Sequence, residues 1–195
     1  EIQALGIKNS VLTPEGFNRV TTASQLCNQL ADFFTRKDKL YPLLAELLIE
    51  TEQTTEIIDQ IKSIFDVNWR VIDEASEQLM AIRTEIKHLR NQINKNFEKE
   101  VRRLSKGNYL GETRETYHNE RRVLTVLASH KRQVGGNVVG SSKTGNLVYI
   151  EPQINVPLNN ELELQIDEER KEVYKILREL TQRISVYLPL IINYQ

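Results

Sequence analysis

Six of the eight glycines of this 195-residue chain lie between positions 107 and 145, and long helical patterns flank them on both sides. Glycine interrupts helices and supplies the turns between short antiparallel strands. Apolar residues recur at helical spacing before this segment, from Leu79 to Leu104, and again after it, from Leu162 to Ile184. The pattern predicts a mainly α, α+β fold, with two long antiparallel helices that carry a small antiparallel β insert.

The first long helix is predicted to begin after Ser76, which can cap its amino terminus, and to run to about Ser105. At 1.5 Å per residue its length is on the order of 40 Å, more than a compact domain of this size requires. A single narrow apolar stripe indicates one partner helix, as in a coiled coil. The stripe consists of Leu79, Ile82, Ile86, Leu89, Ile93, Phe97, Val101 and Leu104.

The partner is predicted to be a helix from Asn160 to about Tyr187, which follows Pro157. Asn160 and Glu163 have the spacing of a capping box, in which two side chains satisfy amide groups at the helix start. Pro189 is expected to stop or kink this helix. Its apolar stripe consists of Leu162, Ile166, Val173, Leu177, Leu180 and Ile184. Two arms of matched length therefore flank the glycine-rich segment.

The glycine-rich segment is predicted to form a four-stranded meander, in which each strand pairs with the next. The expected strands are 112–118, 121–128, 134–139 and 147–151. If the first strand runs outward from the first arm, the first turn and the 140–146 loop lie at the far tip, with Arg121 and Lys143. Lys131 and Arg132 are then expected at the opposite end of the sheet, toward the arms.

The amino-terminal part is predicted to be helical. Thr13 can cap a helix that has Pro14 at its first position and that runs to about Thr35. Two shorter helices and a short extended connector are expected next, at 41–48, 55–61 and 67–73. The predicted domains are a discontinuous helical body with its lever and an inserted β-rich clamp, at residues 1–106 plus 159–195 and at residues 107–158.

Positive charge is concentrated in the middle of the chain, although the formal net charge is −1. Residues 101–145 contain nine Lys or Arg and three acidic residues, whereas the remainder contains 17 basic and 24 acidic residues. Basic residues displace condensed counterions from a phosphate backbone, so this asymmetry favours a polyanionic partner for the middle segment. A solvated basic face without a partner fits the same composition, and charge alone leaves both interpretations open.

The sequence argues against a membrane or secreted protein. No apolar stretch approaches the length of a bilayer span, and the start Glu1-Ile2-Gln3 lacks both the basic and the apolar part of a signal peptide. Since the chain has no initiator Met, a soluble piece of something longer is expected. Cys27 is the only cysteine, which excludes an internal disulfide and fits a reducing compartment such as the cytoplasm.

No residue pattern indicates a catalytic or metal site. Segment 136–144 superficially resembles a phosphate-binding loop, but the two positions that require glycine hold Asn137 and Ser142. Its flanks also predict a strand, a turn and a strand, where a phosphate-binding loop leads into a helix. The histidines lie on different predicted elements, without an acid or cysteine at metal-ligand spacing: His88, His118 and His130.

Six short motifs follow one another along nearly the whole chain, at residues 12–15, 73–79, 119–126, 134–136, 142–152 and 158–162. The most specific is the pattern Ser-x-x-Gly-x-x-x-x-Ile-Glu-Pro, which runs from Ser142 to Pro152. In this order the motifs resemble the core, lever and clamp region of the MutS family, closest to the bacterial branch that lacks the N-terminal mismatch-reading domain. The chain departs from the family at Glu120 and Gly135, where a turn glycine and a proline are usual.

The resemblance implies a non-catalytic lever and clamp that grips double-stranded, mismatched or branched DNA through backbone contacts. For the full-length protein it implies a homodimer with a C-terminal ATPase that uses ATP and Mg²⁺, in mismatch repair or recombination control. A bacterial, cytoplasmic and nucleoid-associated location is expected. The fragment itself is expected to need no cofactor or metal and to be no enzyme, because the ATPase and nuclease domains lie outside it. The alternative is a helical scaffold that docks on a protein or a ribosome without touching DNA.

The residues expected to contact DNA are polar or basic and lie in the predicted turns of the insert. Lys143 is expected to bind phosphate from a flexible loop, because hydroxyl and amide groups beside it can bind phosphate oxygens as well. The other interpretation is a loop that is polar for solubility alone. The expected contact residues are Asn119, Arg121, Lys131, Arg132, Ser141, Ser142, Lys143 and Thr144.

Overall fold

The computed structural model describes residues 2–7, 9–49 and 54–193. The chain divides into two compact units, a helical unit of residues 1–80 with 170–195 and a clamp unit of residues 81–169. Helices predominate and one small antiparallel sheet is present, which confirms the predicted α+β class. The predicted domain bounds follow the ends of the long helices, whereas the division into these two units falls inside them.

The helical unit begins with four helices: α1 (Ile2–Leu5), α2 (Pro14–Thr35), α3 (Pro42–Ile49) and α4 (Glu56–Lys62). The start of α2 is confirmed, because Thr13 Oγ1 accepts a hydrogen bond from the Gly16 amide at 3.2 Å and Pro14 is the first helical residue. The predicted pair of shorter helices is also confirmed, as α3 and α4. Part of the linker between them, residues 50–53, lies outside the described residues.

The predicted extended connector between the fourth and fifth helices is wrong. Phe65 and Val71 form a single antiparallel bridge that encloses a tight loop. The Asp66 carboxylate accepts hydrogen bonds from the amides of Asn68 and Arg70, both at 2.8 Å. An aspartate that binds amides ahead of it folds the chain back on itself, and apolar spacing gives no indication of such a turn.

Helix α5 covers Glu77–Ser105 and contributes residues to both units. Its bounds are as predicted, and Ser76 Oγ accepts a hydrogen bond from the Leu79 amide at 3.0 Å, as a cap should. The predicted stripe is also confirmed, since its members are buried apart from Ile82 and Val101, which are half-buried. The buried members are Leu79, Ile86, Leu89, Ile93, Phe97 and Leu104.

Helix α6 covers Val156–Ser185 and so begins four residues before the predicted start at Asn160. Pro157 lies in its first turn, where the missing amide removes no helical hydrogen bond. The predicted capping box is wrong, because the side chains of Asn160 and Glu163 bind an arginine of the sheet. A motif read from spacing alone does not show which other groups compete for its side chains.

The helical unit has its own apolar core, to which α2, α4, the first turn of α5 and the end of α6 contribute. Helix α6 ends before Pro189, as predicted, and a last helix, α7 (Leu188–Asn193), follows. The segment before α2 is joined to α6 by a hydrogen bond, which the Leu12 amide donates to Thr181 Oγ1 at 3.0 Å. The apolar residues of this core with 0% exposure are Phe17, Ile57, Ile61, Leu79, Leu180 and Ile184.

The clamp unit contains four strands: β1 (Leu110–His118), β2 (Arg121–Leu127), β3 (Gly136–Ser141) and β4 (Leu147–Pro152). Their order is β1-β2-β4-β3 with antiparallel neighbours, so the predicted meander is wrong. Strand β4 is more apolar than β3 and takes a central place, where its Val148 and Ile150 are buried, whereas Val138 of β3 is 58% exposed. The more apolar strand belongs in the middle of the sheet and the glycine-containing strand at its edge.

The sheet packs one face against the carboxyl-terminal half of α5. Two cross-strand pairs, Leu124 with Ile150 and Val126 with Val148, belong to one buried apolar cluster. Burial of side chains of this size contributes about 1.5–3 kcal/mol each, so this cluster holds the sheet on α5. The α5 members of the cluster are Phe97 and Leu104, and Val134 joins it from the connection between β2 and β3.

Candidate nucleic-acid interface

The pairing of the strands gives the sheet two ends with different chemistry. The hairpin end contains the β1–β2 turn at Asn119-Glu120, together with Gly136 and Pro152. The loop end contains the 142–146 loop between β3 and β4. The prediction that Arg121 and Lys143 share one tip is therefore wrong, because β4 pairs with β2 and the two residues lie at opposite ends of the sheet.

The 142–146 loop is a tight turn closed by its own hydrogen bonds. The Ser142 amide donates to the Leu147 carbonyl at 2.9 Å, and the Gly145 amide donates to the Ser142 carbonyl at 2.9 Å. Ser142 Oγ accepts from the Leu147 amide at 3.1 Å and lies 3.4 Å from Thr144 Oγ1. Gly145 has a φ of 73°, which glycine adopts without strain. These bonds present Lys143 outward at an ordered turn, where a flexible loop was predicted.

Two further segments meet the loop end. The Ala128 amide donates to the Asn146 carbonyl at 2.9 Å, which places the short 3₁₀ turn Ala128–His130 beside the loop. The rings of His130 and Tyr109 are 5.0 Å apart, which brings the chain that leaves α5 to the same place. Lys131 therefore lies at the end that carries Lys143, where the predicted meander had separated the two.

Acids are scarce in the segments that build this end, and Glu112 of β1, next to Gly111, is the exception. Residues 101–111 and 121–150 contain no Asp or Glu. We call Lys106, Lys131, Arg132 and Lys143 the cationic loop patch. All four are exposed, and within the described part of the chain none of them forms an ion pair. Unpaired cations on an ordered surface remain available to an anionic ligand.

Arg121, at the hairpin end, is instead bound by acidic side chains of the protein. Its Nη1 donates to both oxygens of Glu151, at 2.9 and 3.1 Å, and its Nε donates to Glu163 Oε1 at 3.0 Å. Its Nη2 donates to Asn160 Oδ1 at 2.8 Å. Burial, the largest single influence, lowers the pKa of Arg121, but Glu163 and Glu151 together outweigh it and raise the pKa above its ordinary value. The guanidinium is charged and bound within the protein.

Arg122 binds on the other side of the sheet, because neighbouring residues of a strand point to opposite faces. Its Nη2 donates to Glu98 Oε1 at 2.8 Å and to Glu115 Oε2 at 2.6 Å. Its guanidinium carbon lies 4.2 Å from the centre of the Phe97 ring, a cation–π contact with α5. Two adjacent arginines thus connect one strand to both long helices.

The remaining predicted contact residues are divided between the two ends. Asn119, with Glu120, forms the two-residue turn of the hairpin end, where both have positive φ, 47° and 64°. Ser141 lies at the end of β3 opposite Val148. The structure brings Lys131, Arg132, Ser141, Ser142, Lys143 and Thr144 to the loop end, and it places Asn119 and Arg121 away from them.

The other candidate chemistries find no support in the geometry. Residues 136–144 form β3 and its loop, as predicted, and do not lead into a helix. Burial raises the pKa of the Cys27 thiol, which keeps it protonated and a poor nucleophile. Across the described residues no group of three or more His, Cys, Asp or Glu could hold a metal ion. No helix in that part of the chain is long and apolar enough to cross a membrane.

Sequence reasoning missed the polar network around Glu151. This carboxylate is 2% exposed and accepts hydrogen bonds from Arg121 and from Asn159 Nδ2, the latter at 2.7 Å. An acid between Ile150 and Pro152 at the end of an apolar strand was a usable indication, because a buried carboxylate requires a cationic partner. The partner itself could not be chosen without the order of the strands.

Comparison with known proteins agrees with the motifs, although no protein-family model matches the chain. The chain is 30% identical to MutS2 of Bacillus subtilis over 181 residues, 91% of its own length and 23% of that relative. It is 31% identical over 179 residues to endonuclease MutS2 of Bacillus velezensis, and 33% identical over 175 residues to endonuclease MutS2 of Thermotoga neapolitana. Both matches cover 90% of this chain and 23% of the relative.

The chain thus spans less than a quarter of the length of these curated relatives, and nearly all of it takes part in the similarity. This likeness to MutS2 proteins supports the predicted relationship to MutS.

Proposed function

We propose that this chain is the DNA-gripping lever and clamp of a protein of the MutS2 branch, and that its loop end binds the phosphate backbone of double-stranded or branched DNA. The segment acts without catalysis of its own, in DNA repair or recombination control. In the whole protein it works as part of a homodimer, in the bacterial cytoplasm at the nucleoid. ATP and Mg²⁺ then act at an ATPase that is encoded outside the matched segment.

The observation that carries this proposal is the cationic loop patch. Its four basic side chains are exposed and have no ion-pair partner among the described residues, and no acid occurs in residues 121–150. Each Lys or Arg that meets a phosphate releases condensed counterions, which favours binding irrespective of base sequence. The ordered turn around Lys143 lowers the conformational entropy that such a contact would lose.

The aromatic residues near the patch favour duplex over single-stranded DNA. Proteins that grip single strands expose rings on which bases stack. Tyr109 and His130 are half-buried and pack on each other, and Tyr149 is half-buried beside Gly140. Among the described residues, the loop end therefore offers phosphate its positive charge and its hydrogen-bonding groups, and these rings are not free to stack on bases.

The test is the affinity for a short DNA duplex between about 50 and 200 mM salt. The unaltered chain should bind, with an affinity that falls steeply as salt rises. Lys143→Glu should weaken binding about tenfold at the lower salt, because a cation at the contact becomes an anion. Lys62→Glu is the matched control, since Lys62 is exposed at the end of α4 and its reversal makes the same change in net charge. Equal effects of the two reversals would contradict the proposal.

A docking function is the second candidate, favoured by an exposed apolar surface in the helical unit. Leu26, Leu30 and Phe33 lie on one stripe of α2 and are 53%, 42% and 46% exposed. Exposed apolar surface of this kind often marks a protein-binding site. If the chain docks on a protein or a ribosome, Leu30→Asp should abolish co-sedimentation with that partner, whereas Lys143→Glu should leave it unchanged.

A further inference from the structure

We infer that Arg121 is a positioning residue, which holds the sheet on α6 and so fixes the direction in which the cationic loop patch faces, without itself contacting DNA. This inference rests on the proposed function. It reverses the role that sequence analysis gave to Arg121, which was expected to bind DNA beside Lys143.

Arg121 already makes several bonds within the protein. All three of its nitrogens donate within the protein, to Glu151 of β4 and to Asn160 and Glu163 of α6. A second contact joins Arg121 Nη2 to Glu163 Oε1 at 2.9 Å. A phosphate would have to displace these partners, one of which is a buried carboxylate that would be left without its cation.

The sheet is attached to the two long helices by different kinds of contact. The apolar cluster that joins the sheet to α5 contains no residue of α6. The contacts described above between α6 and the sheet are polar, and they converge on one pair, Arg121 with Glu151. The Asn159 amide group binds the same carboxylate. On the α6 side Asn159 and Arg121 both bind Glu151, and Arg121 alone extends this contact to Asn160 and Glu163.

Arginine and lysine also differ in the geometry of their charged groups. A guanidinium group is a planar fork that can bind a carboxylate and two further acceptors in fixed directions, whereas an ammonium group is a compact point charge. Both can bind phosphate, so a contact role tolerates lysine. A positioning role does not, because lysine cannot reach β4 and α6 together with the same geometry. This difference separates the two roles experimentally.

The test compares Arg121→Lys and Arg121→Gln with Lys143→Arg and Lys143→Gln, in the 195-residue chain and with a DNA duplex as probe. For a positioning residue, Arg121→Lys should weaken binding as much as Arg121→Gln, about threefold, with an unchanged slope of log affinity against log salt. At the contact, Lys143→Arg should preserve affinity, and Lys143→Gln should lower the slope by about 0.9. The inference is overturned if Arg121→Lys binds like the unaltered chain, or if Arg121→Gln also lowers the slope.

For a second variant, the inference predicts a change in DNA affinity opposite to the one expected from net charge. Glu163→Gln removes an acid, which should strengthen DNA binding if charge alone matters. If Arg121 needs this partner to hold the sheet, the same change should weaken binding at every salt concentration. Tighter binding by Glu163→Gln would overturn the inference.

A measurement without DNA separates failure of this inference from failure of the proposed function. Spin labels at Thr144→Cys and Leu164→Cys, in a Cys27→Ser background, report the distance between the loop end and α6; both sites are exposed. The distribution should be narrow in the parent and broad with Arg121→Lys. Equal widths overturn the inference whether or not DNA binds. If the unaltered chain does not bind DNA, the proposed function fails, and these widths still decide whether Arg121 positions the sheet.

Discussion

The two ends of one small sheet show how carboxylates decide what a basic residue can do. At the loop end, Lys131 and Lys143 are exposed and form no ion pair within the described residues. At the hairpin end, Arg121 and Arg122 are only 22% and 17% exposed and each binds two glutamates. All four belong to the same basic stretch of sequence. The first pair is available to a ligand, and the second pair holds the structure together.

The largest expected effect is a loss of stability on substitution of Gly136, at the hairpin end. In Gly136→Ala the new Cβ would lie 2.1 Å from the Glu151 carbonyl oxygen, at a φ of 152° that a side chain rarely adopts. We expect this change to lower the free energy of unfolding by about 4 kcal/mol, measured by chemical denaturation. Gly135→Ala is the matched control, since nothing lies within 4 Å of its added Cβ. Equal losses in the two variants would mean that β3 does not pair with β4 as described.

The next largest effect is the difference in unfolding free energy between loss of a bound cation, Arg121, and loss of an unbound one, Lys143. Arg121→Gln should cost about 2–3 kcal/mol of unfolding free energy, because it leaves the buried Glu151 carboxylate without its cation. Lys143→Gln should change it by less than about 0.5 kcal/mol, as expected for an exposed side chain without a partner. Thermal denaturation of the two variants provides the comparison. Equal stabilities would remove the distinction between the two ends.

The smallest effect is a gain in stability at the β1–β2 turn. Glu120 has a φ of 64° in a two-residue hairpin turn, where glycine is preferred because it has no Cβ. Glu120→Gly should raise the free energy of unfolding by about 0.5–1 kcal/mol. It should leave the salt dependence of DNA binding unchanged, since the turn lies at the end away from the cationic loop patch. A loss of stability would show that Glu120 makes an interaction that compensates for its backbone strain.

The regular parts of the fold could be predicted from sequence, and the pairing of distant strands could not. Thr13, Ser76 and the apolar stripe of α5 fixed three helix bounds correctly, because caps and periodicity act within a few residues. The strand order was predicted wrongly, because pairing β2 with β4 depends on which strand is apolar enough for the centre. That choice involves residues twenty or more positions apart in sequence.

The candidate site also has parts that could be predicted from sequence and parts that could not. Lys143 was placed correctly in a loop because Ser142 and Gly145 are local turn residues. Arg121 was placed at the wrong end because its position relative to Lys143 depends on the strand order. Its engagement by Glu151 and Glu163 depends on that order too, since both acids follow it by 30 or more residues. The loop could be predicted from nearby residues, whereas the cations without an ion-pair partner could be recognised only from the tertiary structure.

The most direct test of the account is the salt dependence of duplex binding when two loop-end cations are neutralised together. For Lys131→Gln combined with Lys143→Gln, we predict a slope of log affinity against log salt that is smaller by about 1.8 than that of the unaltered chain. This result would show that both side chains displace counterions at the loop end. An unchanged slope, with the fold intact by circular dichroism, would contradict the claim that the cationic loop patch contacts DNA.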